Sequence, residues 1–406
     1  MDSRIKIFYG FESEGEKMRI KILKPAEKIR SVVVFFSLYI TLMLFQTDYM
    51  RLGTISAATV IFLTMVSFFV GNNFLSGKLR LPVGGLSLFA FFCYSTIYSL
   101  ASTGLPSYYL PYASQIILCI LLFTVNLNER EQKNIRVTFV VASTVYAVLI
   151  IKSLYDNRVA GYYHTDVLIF NTKFDPNFIG IPLTAAMAFL LDSALRKEKV
   201  IQSVIMYMVI AFAIFFTASR GSYVAAIASN GLVFVMYILK EKISAKRKVL
   251  YMVLPAISIL VAILLVKKLL PMEWQRMQNL GIDQGSGRLT LWKVALNDWW
   301  SNPILGNGLE YAYQTHGKAA HNTYLQVLSE TGLIGTFLMC GFLLPMLRKA
   351  FKMNTALFCA MIGVLVQIAF LDALNSRCLW ILLCWIAMLP SGRLKYEEKK
   401  DEEYSA

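Results

Sequence analysis

Apolar stretches of about twenty residues recur along this chain, parted by short clusters of charge, and no other feature constrains it more. A helix of that length rises roughly 30 Å, the depth of a bilayer's hydrocarbon core. The runs fall near 31–47, 52–71, 81–104, 109–127, 134–154, 177–195, 200–218, 222–239, 249–270, 323–347, 354–372 and 377–390. They predict an all-α polytopic membrane protein of about 12 transmembrane helices. The tenth run, polar in its first third, and the short last one are the weakest. Only 16% of residues are charged and mean hydropathy is +0.55, where soluble domains carry about a quarter charged. A soluble enzyme, a disordered scaffold and a secreted disulfide module are excluded.

Charge gives the expected orientation. Lys+Arg 40 against Asp+Glu 25 yields +15 and a pI near 9.4. A nucleic-acid binder would carry its basic residues as a stripe on a soluble surface; here they sit in loops between runs. Most lie in residues 1–30, at 78–80, 130–136, 196–199, 240–248 and 348–352, and in the C-terminal tail. These segments alternate with poorer ones, so the positive-inside rule makes them cytoplasmic, both termini included. The expected organisation is an N-terminal tail over 1–30, one transmembrane domain over 31–390 and a C-terminal tail over 391–406. No cleavable signal peptide is read in the polar first thirty residues, and Met18 opens a second basic lead-in that could be the true start. The six cysteines all fall in apolar runs without metal or redox spacing, and read as small buried hydrophobes.

Two connections on the outer side exceed hairpin length, 155–176 and 271–322, and they hold all three histidines, His164, His316 and His321. Any chemistry is therefore expected there. Asp175-Pro-Asn177 precedes the sixth run; aspartate as N-cap with proline at the first helical position is a helix-start signal in its own right. Upstream, Arg158 and Lys173 add two cations that could grip an anionic or sugar ligand or stay solvated. Thr217-Ala-Ser-Arg-Gly-Ser-Tyr223 joins runs seven and eight with no real loop, Gly221 freeing the backbone for the turn. Arg220 at the bilayer edge could reach lipid phosphates or hold an anion in a cavity, since its rigid fork suits bidentate phosphate binding.

The 271–322 loop carries most of the information. Ser286-Gly-Arg288 opens an amphipathic segment in which Leu289, Trp292, Leu296 and Trp299 recur at helical spacing, stopped by Asn302-Pro303. It is expected to lie at the membrane interface with its tryptophans as anchors. Arg288 falls in its first turn, where backbone N–H groups also favour an anion. Gly306-Asn-Gly308 is a glycine-rich turn, too little for a nucleotide loop. A helix from Asn322 to Leu347 would start with His321 at the positive end of its dipole, which predicts a neutral imidazole able to accept a proton. Glu330, nine residues on, lies too far along the axis to orient it. His316 and His321, five apart, do not share a helix face, so no metal site is expected.

With these residues in view, the chain resembles the O-antigen ligase/polymerase superfamily of bacterial membrane glycosyltransferases. The resemblance rests on Asp175-Pro-Asn177, Ser219-Arg-Gly221, Gly287-Arg288 with Leu291-Trp292 and Gly306-Asn-Gly308, and His321-Asn-Thr-Tyr-Leu-Gln326 through Glu330-Thr-Gly-Leu-Ile-Gly335. It spans 155–347, the first five runs matching only as apolar helices. The resemblance implies transfer of a glycan from an undecaprenyl-diphosphate carrier to a hydroxyl acceptor, outside the bacterial cytoplasmic membrane and without metal or other cofactor. The implied partners are that lipid-linked oligosaccharide and membrane lipids, with a chain-length regulator as a further candidate.

On that basis Arg220 and Arg288 are expected to clamp the diphosphate and His321 to act as general base. Arg158, Asp175, Asn177, Asn322, Tyr324 and Glu330 are candidate substrate-binding residues. A polymerase joining repeat units is favoured over a ligase delivering glycan to lipid A–core. A flippase is the more distant alternative, disfavoured because charges within the runs sit near their ends, Asp192 pairing with Arg196 at i,i+4 and Asp372 at the outer edge.

Overall fold

The structure is a computed structural model. It describes residues 30–45, 81–157, 167–170, 172–240 and 287–390, with two-to-three-residue pieces elsewhere between 51 and 275. Most of the apolar runs at 52–71 and 249–270, residues 1–29 and 391–406, and Arg158 and His164 lie outside the described residues.

In chain order the elements are α1 (Ser31–Leu44), β1 (Arg51–Leu52), β2 (Ile55–Ser56), α2 (Val83–Ser102), α3 (Tyr109–Leu122) and α4 (Glu129–Asp156). Next come β3 (Val167–Ile169), β4 (Thr172–Phe174), α5 (Pro176–Leu195), α6 (Val200–Phe216) and α7 (Arg220–Lys240). The series ends with α8 (Arg288–Ser301), α9 (Tyr311–His316), α10 (Thr323–Met353), α11 (Thr355–Ile368) and α12 (Arg377–Ala387). Two antiparallel hairpins, β1–β2 and β3–β4, are the sheet structure among the described residues. Five helices, α2, α4, α5, α7 and α10, are long and apolar enough to cross a bilayer, and α1, α3, α6, α11 and α12 are shorter apolar helices. The protein is a helical membrane protein.

Local chemistry accounts for the helix starts. Asn128 accepts from Glu131 N while the Glu131 side chain returns to Asn128 N, a complete capping box on α4. Asn322 caps α10 and Asn354 caps α11 through their side-chain oxygens, without the reciprocal bond. Arg30 binds the same Glu131 carboxylate, tying the start of α1 to the start of α4. At the other end of α5 the expected Asp192–Arg196 pair forms at 2.9 Å.

The bundle centre is made by α5, α11 and α12. All of α12 from Leu379 to Ala387 is buried, and Phe189 and Trp385 pack with ring centroids 5.1 Å apart. Eleven residues of helix rise only about 16 Å, so the run at 377–390 supplies core rather than a lipid-facing span. Outward faces are apolar too. Val137, Val141, Val145 and Val148 form one exposed stripe on α4, and Val204, Ile205, Met208 and Phe212 another on α6. Stripes of this size are stable against lipid, not water. Of the cysteines, Cys119, Cys359 and Cys384 are buried while Cys340 faces outward, against expectation.

One expected helix is broken. α10 is interrupted at Gly332 (φ 59°, ψ −163°), where two helical segments meet. The segment 303–308 pairs with the groups this break exposes. Asn307 N and Gly308 N donate to the carbonyls of Ser329 and Glu330, while Leu333 N and Ile334 N donate to those of Pro303 and Ile304. A Cβ on Gly306 would sit 2.5 Å from Glu330 O and from Gly332 N. The Gly306-Asn-Gly308 turn is thus a backbone clasp on α10. Its far side is held by a hydroxyl ladder on α2: Tyr94 to Leu305 O, Tyr98 to Gly306 O, and Leu309 N to Ser99 Oγ.

Gly306→Ala should therefore lower the melting temperature of the detergent-purified protein well beyond what Gly287→Ala does. Both positions have positive φ, which costs a non-glycine residue about 1–2 kcal/mol. Gly287 (φ 59°), however, has no atom of the described residues within 4 Å of its Cβ position. Equal shifts would show that the clasp contributes nothing.

Candidate active site

Four helix starts converge at one end of the bundle: those of α5, α7, α8 and α10. Asp175 caps α5, accepting from Asn177 N at 2.8 Å and from Asn177 Nδ2 at 3.0 Å. The other face of the Asn177 amide joins it to α7, since Ser219 Oγ donates to Asn177 Oδ1 at 3.0 Å and Ser222 Oγ to Ser219 Oγ at 2.9 Å. Gln367 near the end of α11 completes the network, its Nε2 donating to Asn177 O and to Ser222 Oγ. The Asp-Pro-Asn and Ser-Arg-Gly motifs are therefore one hydrogen-bonded unit.

Arg220 is the first residue of α7, one position after this network. The turn before it is made by Ala218 (φ 53°) rather than by the expected Gly221. Gly221 lies inside α7, where a Cβ would come within 3.4 Å of Phe370, so its smallness serves packing. The same Phe370 ring lies 5.9 Å from the Arg288 guanidinium carbon, at the edge of cation–π range.

Arg288 is the first residue of α8, as its position in the sequence predicts. Burial, and next the charge of Arg220, lower its pKa, while Asp175 and Asp372 pull it back. An arginine remains charged under such shifts, so two fixed cations share one field with two carboxylates. The rest of α8 has one buried line and an exposed apolar side. Ala295 and Asp298 form its buried line, Trp299 Nε1 donates to Pro303 O, and Leu296 and Trp300 are the exposed apolar residues. Asp298 also binds His316 Nε2 at 3.0 Å, tying α9 to α8.

His321 holds a left-handed backbone (φ 51°) just before α10. Asp372 holds it there. Oδ2 of that carboxylate accepts from His321 N at 2.8 Å and lies 2.9 Å from His321 Nδ1, while Oδ1 accepts from Asn322 N at 3.3 Å. Thr323 Oγ1 donates to Leu371 O and accepts from Ala373 N, fastening the same two segments again. Asp372 raises the His321 pKa, chiefly by hydrogen bonding to the ring, against burial and the charge of Arg288. A helix end alone would lower the proton affinity of His321; the carboxylate in contact with the ring shifts it the other way. Nδ1 faces Asp372, which leaves Nε2 on the side of the ring away from that carboxylate.

The remaining candidates divide. Asn322 uses its side-chain oxygen to cap α10, and the Tyr324 hydroxyl donates to Leu365 O, fastening α10 to α11. Glu330 is buried at 3% exposure, contacted by Gln326 Nε2 at 3.3 Å. Arg158 lies outside the described residues. Asp372, Gln367 and Phe370 were missed in the sequence. One signal was present: Asp372 is the sole carboxylate between Glu330 and Glu397, set between two apolar runs.

These features define a helical membrane protein with a polar, doubly cationic site at one end of its bundle. Residues 205–340 match the family model described as O-antigen ligase, which supports assignment of the chain to the O-antigen ligase/polymerase superfamily. No curated protein matches the chain.

A histidine held by a carboxylate stays protonated to higher pH. NMR titration of the three histidines should show one with a pKa above the ordinary 6.5, moving down in Asp372→Asn. A histidine spectrum that Asp372→Asn leaves unchanged would remove the contact from consideration.

Proposed function

We propose that this protein is a surface-polysaccharide polymerase of the bacterial inner membrane, joining undecaprenyl-diphosphate-linked repeat units on the membrane's outer face. The observation that carries the reading is the meeting of Arg220, Arg288 and His321 where four helix N-termini converge. The leaving group is a lipid diphosphate whose charge grows as the anomeric C–O bond breaks. Two guanidinium groups, fixed by Phe370 packing and by the Asn177–Ser219 network, suit that charge, and the helix ends add to the same potential.

His321 Nε2 takes the proton of the attacking hydroxyl as that oxygen bonds to the anomeric carbon. Asp372 orients the ring through Nδ1 and stabilises the imidazolium that forms, as a carboxylate does beside other catalytic histidines. The raised pKa has a cost: the base is protonated below it, so transfer should fall off on the acid side at a pH above 6.5.

His321→Ala, stably inserted, should lower polymer formation by a factor of about 10²–10⁴, the usual worth of a general base. Arg220→Lys should be poor as well, because lysine cannot form the fork. Wild-type polymer in either variant would sink the corresponding role. In Asp372→Asn the acid limb should move to lower pH while the rate drops, whereas an unmoved limb would mean that His321 does not limit it.

A ligase is the second reading, favoured by the description of the matching family model. The two differ in acceptor, not in donor. Deleting the gene and resolving lipopolysaccharide by gel decides between them. Core bearing a single repeat unit supports the polymerase; bare core with accumulated lipid-linked polymer supports the ligase. Unimpaired assembly of both would refute the pair.

A further inference from the structure

Beside the His321–Asp372 pair lies a cavity of about 250 Å³ that the proposed chemistry does not use. Ser107 and Tyr108 at the start of α3 form one wall and Glu310, Ala312 and Tyr313 around α9 another. Gln326, Ser329 and Glu330 on the first turns of α10 form a third, and Asp372 and Asn375 close it. Ala319 and Ala320, the residues before His321, also line it, so the cavity opens on the base side of the site.

Its chemistry is specific. Three carboxyl groups, Glu310, Glu330 and Asp372, meet side-chain amides and phenols, and no lysine or arginine is among the lining residues. Glu310 is held in place by Ser107, whose N–H and hydroxyl both donate to it. Gln326 is 8% exposed; its Nε2 reaches Glu330 at 3.3 Å, and its Oε1 has no hydrogen-bond partner among the described residues. A buried amide oxygen left without a donor is unfavourable, and a ligand hydroxyl would relieve it. Carboxylates and amides set around a small cavity with tyrosine walls match a ring bearing several hydroxyls. At about 250 Å³ the space falls below the roughly 300–1,000 Å³ of drug-sized pockets, enough for one sugar ring and not for a chain.

We propose that this cavity is the acceptor-sugar subsite, taking the saccharide whose hydroxyl His321 activates and selecting a neutral or amino sugar over a uronic acid. The inference rests on the proposed function in one respect only, the choice of acceptor over donor. Selection follows from charge: a sugar carboxylate would meet Glu310 and Asp372, with no lysine or arginine among the residues that line the cavity.

The test uses the full-length protein in detergent and saturation-transfer difference NMR. The probes are methyl glycosides of glucose, galactose, N-acetylglucosamine and N-acetylgalactosamine, set against glucuronate and galacturonate. At least one neutral glycoside should receive transfer, the uronates should receive at least fivefold less, and Gln326→Ala should reduce the neutral signal. Ala319→Phe, which fills the cavity from a partly exposed position, should abolish that signal. Geranyl diphosphate binding, a probe of the arginine pair, should persist in Ala319→Phe and fall in Arg220→Ala.

Equal transfer to uronates, no transfer to any neutral glycoside, or a neutral signal that survives Ala319→Phe would each overturn the subsite. Loss of geranyl diphosphate binding in Ala319→Phe would show misfolding, and Ala312→Leu then replaces it as the cavity-filling variant under the same criteria. Failure of wild-type protein to bind geranyl diphosphate while sugar binding holds would instead strike the diphosphate reading.

Discussion

The carboxylate of Asp372 holds together two segments that are 50 residues apart in the chain. It accepts from the backbone of His321 and of Asn322 and contacts the imidazole, at 15% side-chain exposure. His321 pays for its left-handed backbone there, a conformation that costs a non-glycine residue about 1–2 kcal/mol. Thr323 bonds both to Leu371 and to Ala373, so the connection from α11 to α12 is fastened to the start of α10 at several points. α12 is the buried centre of the bundle. The corner that presents the imidazole is therefore anchored directly to the core.

A second network does for the cations what Asp372 does for the histidine. Asn177, Ser219, Ser222 and Gln367 bind one another across three helices. In an apolar surrounding such polar groups are costly unless each finds a partner. Gly180 makes the approach possible, since any Cβ there would collide with Ser222. The beginnings of α5 and α7 are thus locked in register, and Arg220 emerges from a rigid turn. Arg288 arrives from a separate helix and meets it through Phe370, which packs on Gly221 and faces the guanidinium.

Architecture and chemistry share the motifs unequally. Gly306-Asn-Gly308 and Glu330-Thr-Gly332 clasp one another through backbone hydrogen bonds, and their glycines answer to close approach and positive φ. This clasp bends α10 just below its first turns, so Gln326 and Glu330 face a cavity rather than running on along a straight span. The hydroxyl ladder of α2 supports it from outside, giving the early helices a part in building the site.

Helix positions were legible in the sequence because apolar length and cap residues are local signals. Asp175-Pro176 starts α5, Arg288 opens α8, and Asn322 caps α10 where the residues place them. The motif residues were legible as well, as types and spacings. What sits against what was not. Asp372 is a lone carboxylate between two apolar runs until the fold carries it 51 residues back along the chain to His321. The break at Gly332 and the left-handed turn at Ala218 leave no mark in hydropathy, because each is set by the backbone it packs against. The histidine's proton affinity followed the same rule. One-dimensional reasoning saw the weak field of a helix end; tertiary contact supplied a hydrogen-bonded carboxylate at 2.9 Å, and the nearer interaction prevails.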